Sequence, residues 1–221
     1  MTLALPLPRG TRRNRLTAHH RAAMVTPSPQ TRLAMASRFS ATLRRPADAG
    51  ADNAWAFVVL PKSVSEQFSR RGRASAQCSL DGHLFEATLE PDGHLSHWLK
   101  IEASLMKHAG VAPGSSVTLE LHPCAEEREP QLPSDLRDAL DASPAARATW
   151  DATTTIARVD WIHWIESAKQ AKTRTSRIKD ACQMLASGKK RVCCFDSSGF
   201  YSKSLNPPKE AAYGAPLATD Y

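Results

Sequence analysis

The sequence predicts an α+β chain: a small β-rich domain of barrel or sandwich type, followed by a small all-α domain. Three observations predict it. Apolar residues alternate with polar ones up to about residue 121 and recur at helical spacing beyond residue 134. Aspartate–glycine pairs sit between the alternating runs, as tight hairpin turns require. A charged, proline-bearing stretch, residues 126–133, separates the two patterns.

Element by element, Phe39, Ala41 and Leu43 alternate as a half-buried strand does, and Trp55–Leu60 is a second apolar run stopped by Pro61. Ser63 and Glu66 have capping-box spacing, which predicts a short helix to about Arg70 ended by Gly72. Cys78–Leu80 and Leu84–Leu89 flank Asp81-Gly82 as a hairpin, and Asp92-Gly93 makes a second turn before Leu95–Ile101. Ala103–Ala109 reads as a helix closed by Gly110, and Val117–Leu121 alternates cleanly as a strand. Ser134 and Ser143 suit helix N-caps, the latter with Pro144 at the first helical position. Trp161, Trp164, Ile165 and Ala168 share one helical face, and Ile178, Ala181, Cys182 and Leu185 another. Thr173 is placed to cap that last helix and Gly188 to stop it. The predicted organisation is a leader 1–37, a β domain 38–125, a linker 126–133, a helical domain 134–191 and an extended tail 192–221.

Charge is unevenly spread. The first 47 residues carry nine Arg and no acid, residues 48–168 ten Lys/Arg and eighteen Asp/Glu, and residues 169–191 eight Lys/Arg and one acid. The leader is expected to be disordered and dispensable, or an over-extended start with Met24 or Met35 as the initiator. Its Arg content also resembles that of an organellar transit peptide. It lacks the order of a secretory signal, and no apolar run reaches the ~18–20 residues of a membrane-spanning helix. The five cysteines lack zinc-ligand or framework spacing, so thiols in a reducing cytoplasm are expected. Adjacent Cys193 and Cys194 leave open a vicinal disulfide or redox site.

The run from Ala168 to Ile178 (AKQAKTRTSRI), with Leu185–Lys189, Leu132–Leu136, Ala139-Leu140 and Trp161-Ile162, resembles the C-terminal hallmark of the bacteriocin-protection, YdeI/OmpD-associated family. The segment from about Phe39 to Leu121 is similar to the domain of unknown function that often precedes it, through Leu80–Gly82, Phe85, Leu99, Ile101, Ala109-Gly110 and Gly114 before Val117. Ser115 departs from the acidic residue expected there. The resemblance spans roughly residues 38–205 and implies a double-split type of β-barrel. The family name reflects a genetic link to antimicrobial-peptide resistance and porin association, without a mechanism.

No catalytic constellation is recognised. Ser197-Ser198-Gly199 lacks the surroundings of a nucleophile elbow, and the glycine–lysine spacings do not make a phosphate loop. His94 and His97 fall on opposite faces of a strand, so no metal or other cofactor is expected. Glu126-Glu127 is expected to be solvated. The candidate site is a basic elbow of Lys169, Lys172, Thr173, Arg174 and Arg177 at a helix start, where free amides and the helix dipole favour anions. It suits an anionic small molecule or an acidic protein surface. Arginine pairing with acids of the central stretch, a solvated face, and nucleic acid are the alternatives. The functional expectation is a non-enzymatic binding or stress-protection protein, against an enzyme acting on a small anionic substrate or a nucleic-acid-binding protein.

Overall fold

In a computed structural model, which describes residues 36–48 and 55–212, six antiparallel strands form a nearly closed barrel and helices follow it. The strands are β1 (Ser37–Thr42), β2 (Ala56–Val59), β3 (Ala74–Leu80), β4 (His83–Pro91), β5 (His97–Ile101) and β6 (Ser116–Pro123). Their order is β1-β6-β3-β4-β5-β2. Arg44, just past β1, exchanges two backbone hydrogen bonds of 2.9 Å with Phe57 of β2 and so brings the ends of the sheet together. Alternation fills the barrel: Leu43, Val58, Leu80, Leu89, Leu99, Ile101, Leu119 and Leu121 are all buried in one cluster.

The helices are α1 (Lys62–Ser65), α2 (Ala103–Ala109), α3 (Ser134–Asp141), α4 (Pro144–Asp151), α5 (Thr155–Glu166) and α6 (Ala171–Ala186). Leu136, Leu140, Trp150, Trp161, Ile165, Ile178 and Leu185 make a second core. α5 is buried almost all round, since Val159 and His163 lie on a different side from Trp161 and Ile165. None of the described helices is long and apolar enough to cross a membrane.

The Asp81-Gly82 hairpin, the α2 helix with left-handed Gly110 behind it, β6, and Pro144 at the start of α4 stand where the sequence places them. Several local expectations are corrected. The capping box at Ser63 does not form. α1 starts at Lys62 behind Pro61 and ends at Ser65, whose hydroxyl lies 2.6 Å from Nδ1 of buried His97. Gly72 therefore ends no helix; its carbonyl accepts from His97 Nε2, and a Cβ there would meet Ser197 at 2.8 Å. β5 begins only at His97, since the Asp92 carboxylate accepts from the amides of His94 and Ser96 and holds His94 in a turn rather than a strand. Pro133, not Ser134, occupies the cap position of α3.

The stretch expected to be a solvated linker packs down on β3. Glu127 accepts the Ser75 amide at 2.9 Å, the Arg128 amide donates to the Ser75 hydroxyl, and the Cys124 amide to the Ser75 carbonyl. Small Ser75 on the outer face of β3 is buried for that reason. The tail also returns to the barrel. Ala47 donates to Lys209 at 2.7 Å and Ala211 to Arg45 at 2.8 Å. Gly93 (φ 74) lies so close to the Leu205 carbonyl that a Cβ there would be 2.1 Å away. Residues 1–35 of the expected leader, with Met24 and Met35, lie outside the described residues, as does the tail beyond residue 212.

Candidate functional site

The basic elbow is built differently from its expectation. α6 begins at Ala171, with Gln170 at the cap position and no side-chain cap, so Thr173 is an exposed third helical residue and not the cap. Arg174 forks onto Asp135 at the start of α3, Nε to Oδ2 at 2.7 Å and the terminal nitrogen to Oδ1 at 2.9 Å. Those bonds hold the Asp135 carboxyl below its ordinary pKa. Its partner is thus an acid of the central stretch, but one on a helix and not on the barrel. Arg177 donates to the Trp164 carbonyl and to the Ser167 hydroxyl, and lies 5.5 Å over the Trp164 ring. It satisfies the C-terminus of α5. Lys169 and Lys172 remain exposed.

A second group of charges lies between the barrel and α5. Arg73, at the entry to β3, donates from Nε to Glu90 of β4 at 2.9 Å and from a terminal nitrogen to Glu166 of α5 at 2.6 Å. Arg70 meets Asp160 of α5, with Glu127 at 3.9 Å. Burial opposes the charge on Arg73, but Glu90 and Glu166 outweigh it and hold its pKa above the ordinary value. For Glu90 and Asp160 burial prevails over the arginine beside each, so both carboxyls are raised. Next to them His163 is 2% exposed and its Nδ1 has no protein partner. Burial, then the charges of Arg73 and Arg70, push it down to about 3, so it is neutral at ordinary pH. Phe195 of the tail stacks edge-on against it at 5.0 Å.

Two open clefts meet at this group, about 390 Å³ toward residues 127–131 and about 630 Å³ toward β5 and α2, sharing Arg73, Thr88 and Glu90. The convergent carboxylates hold arginines, His97 is lowered by burial, and His163 is kept neutral. Burial raises Cys78 to about 12 and lifts Cys124 and Cys182, while the neighbouring Cys193 thiol lifts Cys194. The Sγ atoms of Cys193 and Cys194 are 3.0 Å apart as thiols. Among the described residues no three His, Cys, Asp or Glu gather as a metal site.

The sequence did not single out Arg70, Arg73, Glu90, Asp160 or Glu166. A signal was present: Arg70, Arg71 and Arg73 are three of only ten bases in the acidic stretch 48–168.

Residues 129–188 match the family model described as bacteriocin-protection, YdeI or OmpD-associated, and residues 39–121 that of a domain of unknown function (DUF1905). No curated protein matches the chain.

Proposed function

We propose that this chain, which belongs through residues 129–188 to the bacteriocin-protection, YdeI or OmpD-associated family, is a non-catalytic binding protein that contributes to protection against bacteriocins. The observation that carries this is the saturation of the cleft: Arg73 holds Glu90 and Glu166, and Arg70 holds Asp160. General acid–base or nucleophilic chemistry needs a group free to exchange a proton or attack, and the carboxylates that converge here are held by arginines, while His163 beside them is buried. What remains is a rigid, polar, open surface suited to recognition. The elbow adds a second contact in this reading. Lys169 and Lys172, with the free amides of the first turn of α6, meet an anionic group or acidic protein surface, while Arg174 and Arg177 hold the helix in place.

The test is to incubate the purified chain with a panel of bacteriocins and follow both the fraction bound and the mass of each bacteriocin. Stoichiometric binding of an unaltered bacteriocin, with greater bacteriocin sensitivity in cells lacking the gene, is expected. A bacteriocin cleaved or modified over many turnovers would replace this reading with an enzymatic one. Retention of nucleic acid instead, weakening steeply with salt, would replace it with the nucleic-acid reading.

A further inference from the structure

β4 offers hydrogen-bonding groups along two edges, and over half its length only one is used. The turn residues Asp81 (φ 46) and Gly82 (φ 89) form a two-residue hairpin loop between Leu80 and His83. His83, Phe85, Ala87 and Leu89 therefore exchange backbone bonds with β3, and Leu84, Glu86, Thr88 and Glu90 turn theirs the other way. The far side of β3 fixes the same alternation, since the Asp81 amide donates to Thr118 of β6 at 2.9 Å.

On the other edge β4 meets β5, but the pairing covers only Pro91↔His97 and Glu90↔Trp98. Continued in register it would set Thr88 against Lys100 and Glu86 against Glu102. Two carboxylates directly opposite each other repel, and at Glu102 the chain leaves for α2. The edge from Leu84 to Thr88 thus has no strand partner among the described residues, and all three outward residues on it are exposed. The resulting split is the larger of the two clefts, about 630 Å³. Partly buried Phe85, Ala87 and Leu105 form its floor, and Glu86, Trp98 and Glu102 its mouth.

We propose that this split takes an extended basic polypeptide segment of another protein. The segment adds as a strand to the edge of β4 at Leu84, Glu86 and Thr88, with alternate apolar residues toward the floor and a lysine or arginine between Glu86 and Glu102. Charge suits such a partner: the larger cleft is lined by Glu86, Glu90 and Glu102 against Arg73 and Lys100, and Glu86 and Glu102 meet Arg128 and Lys100 through one oxygen each, which leaves the other oxygen of each to a further cation. A second copy of the chain is a poorer occupant, because a two-fold centred on this edge sets Glu86 against its own copy. The inference deepens the binding reading above by naming the partner's chemistry.

The experiment titrates the full chain with a short capped peptide alternating lysine and valine, with the same peptide N-methylated at alternate amides, and with a glutamate–valine counterpart. Thr88→Pro removes an edge N–H without touching the ladder to β3, and Glu86→Lys reverses the charge at the mouth. The lysine–valine peptide is expected to bind. N-methylation, Thr88→Pro and Glu86→Lys should each weaken it about tenfold or more, and the glutamate–valine peptide should bind least. Equal binding of the N-methylated peptide would reduce the interaction to charge and overturn strand addition, as would indifference to both substitutions. Self-association abolished by Thr88→Pro in sedimentation would make the occupant a second copy. Should Thr88→Pro fail to fold, the N-methylated peptide and Glu86→Lys still decide. Loss of peptide binding in a chain that still protects cells sinks the split alone. Peptide binding by a chain that gives no protection sinks the protective role alone.

Discussion

Inside the barrel, Leu80, Leu89, Leu99, Leu119 and Leu121 are wholly buried against one another. Under α5 the contacts that tie the barrel to the helices include ion pairs, Arg73 to Glu166 and Arg70 to Asp160, with side chains 15–35% exposed. Aliphatic burial is strong, undirected and independent of pH. Paired charges are directed, and their net contribution depends on both partners staying charged and in place. The barrel therefore supplies stability, and the cleft supplies a fixed relation between barrel and helices.

Four measurements would sharpen or break that contrast. The largest effect is expected in the barrel: Leu119→Ala should lower unfolding free energy by about 3–5 kcal/mol, read by denaturant titration. Next comes His163. Its pKa of about 3 in the folded chain lies below the ordinary unfolded value near 6.5, so the unfolded chain takes up the proton first. Stability present above pH ~6.5 is lost as pH falls toward 3, by about 3 kcal/mol between pH 7 and 4. Glu90 and Asp160, held above their ordinary values by burial, act oppositely as pH falls toward the carboxylate range. Thermal melts across pH of His163→Gln against the parent isolate the histidine, and a parent profile as flat as the variant's would remove it from the account.

Third, Arg73→Met should cost about 2 kcal/mol by leaving Glu90 and Glu166 unpaired, while Arg73→Met with Glu90→Leu and Glu166→Leu should recover most of it. A triple variant no better than the single would show that the pairs stabilise outright. The smallest effect belongs to the elbow. Arg174→Ala with Arg177→Ala should cost about 1 kcal/mol, since the Asp135 pair is largely solvated and Arg177 donates two hydrogen bonds. Lys169→Ala with Lys172→Ala should leave the melt unchanged, and any binding lost there would be theirs.

The same contrast explains what could be read in the sequence. Period-two alternation in Val117–Leu121, the turn pair Asp81-Gly82 and the Trp161–Ile165 face are local patterns, and each has its predicted element. The charge group was not legible, because Arg73, Glu90 and Glu166 come from three elements and meet only after folding. Thr173 suits a cap by residue type and position, but the backbone turns helical two residues earlier, at Ala171. Arg174 and Arg177 stand in the predicted elbow with Lys169, Lys172 and Thr173, but a sequence cannot show that Asp135 and the Trp164 carbonyl already occupy the two arginines.

The tail's return to Arg45–Ala47 has a consequence for biosynthesis. The ribosome delivers the segment after β1 early and its partners, Lys209 and Ala211, about 160 residues later. At about 5–20 residues per second, that seam stays open for on the order of ten seconds or more during translation. Until then Phe195 is also missing from its place over His163. The nascent barrel and the first helices thus wait on residues 195–211, and ribosome-bound chains stalled before residue 195 should be cut by protease far faster than chains stalled well beyond residue 211.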